Sequence, residues 1–182
     1  MKNLWNIQFN PVENEITPDE IIKGQCEILE QKTNGRILGK VTCYDGPITS
    51  YTTTSWYSVT QALAGKRINI QEDLGNISDG NFTFEFFITS TSTPNYKYRV
   101  LFLNYEIPFY PLFIVLDEAI AKEIDLDHNL RCESQDAYEG LLEKILSSER
   151  IERIIGTLLA IAQRDEQKSL PLPPPNSKID IE

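Results

Sequence analysis

The spacing of apolar residues changes twice along the chain, dividing it into a helix, a run of strands and a second set of helices. Ile21, Ile22, Cys26 and Leu29 recur at helical spacing behind Thr17, Pro18 and Glu20. Threonine can cap a helix, proline fits its first position, and a glutamate three residues after the cap can reach back to the cap N–H. Asn34-Gly35 supplies a left-handed stop, so the pattern predicts a helix over 18–33.

Arg36–Tyr44 has the β-branched content and alternation of a strand, and Asp45-Gly46-Pro47 reads as a turn. Ile48–Tyr57 is rich in Ser, Thr and Tyr, yet Trp56, Val59 and Leu63 follow helical spacing, so 56–64 stays open between strand and helix. Lys66–Gln71 is a short strand. Asn81–Ser90 sets Phe82, Phe84 and Phe86 on one face, with Phe87 breaking the rhythm. Tyr96–Tyr105 and Ile107–Leu116 follow as strands. Pro108 and Pro111 cannot donate ladder hydrogen bonds, which makes the first half of the last strand an edge or an irregular lead-in. The short links imply antiparallel pairing.

After Leu116 the period becomes helical again. Helices are predicted over 118–124, 136–147 and 149–163, the last two meeting at Ser147-Ser148 as a hairpin or a kink. In a hairpin, Gly140 and Gly156 would face each other and let the two backbones approach. Residues 169–182 carry four prolines and read as a Pro-rich disordered tail. Strands segregated from helices define an α+β domain over 1–168, with an antiparallel sheet of five or six strands, an N-terminal helix and a C-terminal helical pair packed on it.

The chain has 182 residues, 41% of them hydrophobic and 24% charged, enough for a core that needs no disulfide or metal. Its net charge is −10, and no window is cationic. Phosphate backbones bind by releasing counterions from a cationic surface, so neither nucleic acid nor an anionic membrane is the expected partner. Cys26, Cys43 and Cys132 are odd in number and widely spaced, which suits reduced thiols. No stretch has the length of a membrane helix or the pattern of an export signal, and the expected location is the cytoplasm.

Catalytic motifs are sparse. Asp125, Asp127, Asn129, Glu133 and Asp136 match several positions of a calcium loop, but Leu130 stands where the sharp turn needs glycine. The stretch reads better as an acidic connector. His128, the single histidine, lies within it with no nucleophile motif beside it. Asp136, Glu139 and Glu143 share one side of a helix and read as its solvent face. The nine glycines include no phosphate-cradling loop. No cofactor or metal is expected.

The stretch Pro18, Ile21, Ile22, Gln25, Leu29, Lys32, Thr33 and Gly35, with the later Tyr110-Pro111 before an apolar strand, resembles an uncharacterised family of small bacterial cytoplasmic proteins. That resemblance implies a bacterial, cytoplasmic protein and carries no activity or catalytic residue.

Tyr96, Tyr98, Phe102, Tyr105, Phe109, Tyr110 and Phe113 fall within eighteen residues. Alternate strand positions point to opposite faces, so some of these rings should stay near the surface, where aromatics anchor protein interfaces. The expected function is therefore a non-catalytic interaction or regulatory module with an unidentified protein partner or, as a homo-oligomer, with itself. The alternative is a small-ligand binder or enzyme whose pocket is lined by these aromatics and the helix carboxylates.

Overall fold

The computed structural model describes residues 16–44, 49–51, 67–69 and 81–169. Helix α1, Pro18–Lys32, begins where the sequence places it: the Glu20 carboxylate accepts the Thr17 N–H at 3.4 Å. It ends at Thr33, followed by Asn34 and Gly35 at φ +52° and +73°. Both lie in the left-handed region that reverses the chain into a strand. Thr33 secures the join, because its hydroxyl donates to the Leu29 carbonyl at 2.9 Å and accepts the Ile37 N–H at 3.2 Å.

Seven strands follow among the described residues: β1 Ile37–Cys43, β2 Thr49–Tyr51, β3 Arg67–Asn69, β4 Phe82–Ser90, β5 Tyr98–Tyr105, β6 Leu112–Leu116 and β7 Asn129–Cys132. Five form one sheet in the order β1-β4-β5-β6-β7, with every neighbouring pair antiparallel, while β2 and β3 pair with each other. Helices α2, Glu118–Glu123, α3, Gln135–Leu146, and α4, Glu149–Ser169, complete the chain as described. This is the α+β architecture expected, and the open stretch at 56–64 lies outside the described residues.

The sheet has two different faces. Phe84, Phe86 and Ile88 from β4 join Leu101, Leu103 and Tyr105 from β5 and Leu112, Ile114 and Leu116 from β6 on one of them. Ile22 and Cys26 of α1, Ile120 of α2, Tyr138, Leu142 and Ile145 of α3, and Ile151 and Leu158 of α4 close the same core. The opposite face buries Phe102 and Val115, with Tyr44 packed against them. It also holds Glu85, whose carboxylate is paired with both Arg99 and Lys97. Asn104 donates across the strands to the Thr83 hydroxyl at 2.8 Å.

One irregularity sets the register. Phe86 lies opposite Leu101 but Phe87 opposite Arg99, leaving Val100 as the extra residue of a bulge. Bulges re-aim backbone groups. Here the Val100 carbonyl accepts the Asp117 N–H at 2.8 Å, and Asp117 caps α2 by accepting from Ala119 and Ile120.

Three expectations need correcting, and a fourth is borne out in one of its two forms. The acidic connector contains a strand: Asp125 takes a left-handed turn at φ +55°, and Asn129–Cys132 then pairs with β6, so these residues do not wrap into a calcium loop. The β5 strand starts at Tyr98 rather than Tyr96, because the Tyr96 N–H turns back to the Thr93 carbonyl at 2.9 Å. Residues 106–111 hold no strand, and the peptide bonds before Pro108 and Pro111 are both cis, so the irregular lead-in is the form observed. Gly140 and Gly156 do not meet. A Cβ built on either would touch nothing within 4 Å, because the apolar stripes of α3 and α4 face the sheet and leave both glycines outward.

Candidate interaction surface

The seven clustered aromatics do not form one surface; the pleat and the bulge send them to three places. Tyr98 and Tyr96 stand at the α2 end of β5. Tyr98 is 1% exposed; its hydroxyl donates to Asp117 at 2.9 Å and accepts from Arg150 Nε at 3.4 Å. Burial foremost, then the Asp117 charge, pushes that hydroxyl well above its ordinary pKa. Burial likewise raises the half-buried Tyr96 hydroxyl.

Phe102 and Phe113 point to the opposite face of the sheet. Phe102 is fully buried, with the Tyr44 ring 4.8 Å away edge-on and the Arg99 guanidinium 4.7 Å from its centroid. Phe113 is exposed under Arg131, which lies 5.6 Å from its ring. The remaining three, Tyr105, Phe109 and Tyr110, gather where β5 runs out.

Tyr105 is the pillar of that end. Its ring is buried and stacks on Phe82 at 5.4 Å and Phe84 at 5.9 Å, and it meets Phe109 edge-on at 5.7 Å. Its hydroxyl donates to Asp19 of α1 at 2.5 Å. Asp19 also holds Lys23 at 2.6 Å. Burial opposes the Asp19 charge, but hydrogen bonds from Lys23, Tyr105 and Thr17 outweigh it and hold the carboxyl below its usual range. The same pairing raises Lys23. α3 meets this end too, where the Tyr138 hydroxyl donates to the Pro18 carbonyl at 3.1 Å.

Around this rigid centre stand apolar side chains that face water. Ile107 is 74% exposed, Ile16 46% and Phe82 42%, with Phe109 half-buried between surface and core. Neither Phe82 nor Ile107 stood out in the sequence. Phe82 reads as one of three phenylalanines on one face of an alternating strand, and Ile107 as the first residue of a strand that instead begins at Leu112. Their one legible signal is the proline after Ile107, which breaks the ladder and leaves an isoleucine without a neighbouring strand to cover it.

The other candidate chemistry is dispersed. Asp136, Glu139 and Glu143 are exposed on α3, while Tyr138 and Leu142 of the same helix face the core and separate them from the sheet aromatics. His128 is half-buried, and its carbonyl accepts the Leu116 N–H at 2.7 Å. Among the described residues, no three His, Cys, Asp or Glu side chains gather to hold a metal ion. Cys26 and Cys132 are buried and Cys43 exposed, all as free thiols; burial pushes Cys26 up to about 12.

No protein-family model matches the chain, and neither a curated protein nor a solved structure is detectably similar to it. Among the described residues, no helix is long and apolar enough to cross a membrane.

Proposed function

We propose that this protein is a non-catalytic interaction module that binds another protein through the apolar rim formed by Phe82, Ile107 and Phe109. The observation that carries the reading is the exposure of Ile107 and Phe82 beside a buried, hydrogen-bonded Tyr105. Exposed apolar groups on a rigid support lose little conformational freedom on binding, which favours them as anchors. The reading narrows the seven-ring expectation, because Tyr98, Phe102 and Tyr105 are interior and act only as support. A protein partner suits the net charge of −10 better than nucleic acid does. Three free thiols suit a reducing bacterial cytoplasm.

The test is purification of the native protein from its host, with co-purifying proteins identified by mass spectrometry. Ile107→Ala and Phe82→Ala should each weaken a genuine partner about tenfold or more, near 2 kcal/mol for a hot spot, without changing the circular dichroism spectrum. A substrate turnover that requires Asp136 or Glu139, with no partner found, refutes the proposal.

A further inference from the structure

The rim draws its residues from stretches without a single basic side chain. No Lys or Arg occurs between Lys2 and Lys23, between Arg67 and Lys97, or between Arg99 and Lys122. Phe82, Ile107 and Phe109 of the rim, and the exposed Ile16 that precedes α1, come one or two from each of these stretches. Acidic groups are present at the same end of the fold. Glu20 lies in the first turn of α1 and Glu106 beside Ile107, both exposed. The first turn of α3, which the Tyr138–Pro18 hydrogen bond brings against α1, adds Asp136. Two bases at this end, among the described residues, are already matched: Lys23 by the Asp19 carboxylate at 2.6 Å and Arg131 by Glu133 at 2.8 Å. Among the described residues, the exposed charge beside the apolar rim is therefore mainly negative.

From this we infer that the partner meets the rim with an apolar side chain set among lysines or arginines. The inference rests on the proposed docking function and adds the chemistry of the other side. Charge complementarity steers encounter and rejects wrong partners, while the apolar contact supplies most of the holding energy. A second copy of this chain docking rim to rim would bring Glu106 and Glu20 against their own counterparts, and like charges in register oppose that contact.

The experiment takes a partner recovered with the native protein, purifies it, and measures its affinity for the full chain by calorimetry. Four proteins are compared: the unaltered chain, Ile107→Ala, Glu106→Lys, and Glu143→Lys as a control acid at the far end of α3. The expected result is about tenfold weaker binding for both Ile107→Ala and Glu106→Lys, and no change for Glu143→Lys. Raising salt from about 50 to about 300 mM should weaken the unaltered pair roughly fivefold or more. Loss of binding with Ile107→Ala but indifference to salt and to Glu106→Lys overturns the charge inference and leaves the rim intact as the docking site. A partner indifferent to Ile107→Ala, or no partner at all, overturns the docking function itself. Self-association lost on Ile107→Ala overturns the basic partner in favour of a second copy.

Discussion

Tyr105 and Asp19, 86 residues apart in sequence, are joined by a 2.5 Å hydrogen bond that ties the last residue of β5 to the first turn of α1. The acceptor is a carboxylate held charged by its partners, so the bond belongs to the stronger, charge-assisted kind. It fixes the ring around which Phe82, Phe84 and Phe109 pack.

Removing that hydroxyl tests the arrangement. Tyr105→Phe should lower stability by about 2 kcal/mol at neutral pH, the usual cost of losing a buried hydrogen bond to a charged group. The effect of pH has a definite sign. Asp19 titrates lower in the folded protein than in the unfolded chain. Its stabilisation is therefore complete above the unfolded value of about 4 and is lost as pH falls through the lower folded value. Tyr105→Phe deletes one of the bonds that depress this carboxyl, so the variant should lose less stability than the parent between neutral pH and about pH 3. Urea midpoints at both pH values measure this, and equal acid losses would count against it.

Glu85 and Arg131 offer a contrast between buried and exposed ion pairs. The Glu85 side chain is 5% exposed and bound by two bases, whereas Arg131 and Glu133 are 55% and 68% exposed. Glu85→Ala removes the buried carboxylate that Arg99 and Lys97 share and should cost about 3 kcal/mol. Arg131→Ala breaks a solvated pair and should cost no more than about 1 kcal/mol. Denaturant titration of the two variants decides it; similar losses would show that the Glu85 site is open to water.

Gly39 and Gly140 should respond oppositely to alanine. A Cβ at Gly39 would lie 2.6 Å from Cys26 Sγ and 3.2 Å from the Cys26 Cα, so α1 and β1 must move apart. Gly39→Ala should destabilise by about 2 kcal/mol, and adding Cys26→Ala should recover part of it, a coupling of at least about 0.5 kcal/mol. Gly140→Ala fills open space on a helix and should stabilise by about 0.5–1 kcal/mol. Thermal melts of Gly39→Ala, Cys26→Ala, their double variant and Gly140→Ala are sufficient, and additivity at 26 and 39 would contradict the packing described.

Local signals made much of the fold legible. Thr17, Pro18, Glu20 and Gly35 act within a few residues of where they stand, and α1 begins and ends where they place it. Alternation likewise set Phe84 and Phe86 on one face, which is the core face. β7 was hidden because Asn129–Cys132 holds only one large apolar side chain, Leu130; its strand state comes from pairing with β6. Tertiary pairing of this kind overrides weak propensity. The density of rings in 96–113 was visible, but their division among three places was not. The bulge at Val100 depends on the fit of β4 against β5 and leaves no local mark. Phe82 and Ile107 escaped for a similar reason, since exposure at the end of a strand depends on what the rest of the chain leaves uncovered.

The first and the last described helices close over the same face of one sheet. During synthesis, β4, β5 and β6 are made well before Ile151 and Leu158 of α4. Until then Phe84, Phe86, Leu101 and Leu103 lack a complete cover, although their hydrogen-bond partners are already present. Contacts spanning most of the chain, such as Arg36 with Glu166, form only after release of the C-terminal helix. Folding dominated by such distant contacts is slow and leaves apolar strands open to other chains. The nascent chain thus passes through an interval in which it is a natural client for a chaperone, and shortening the protein within α4 would make that exposure permanent.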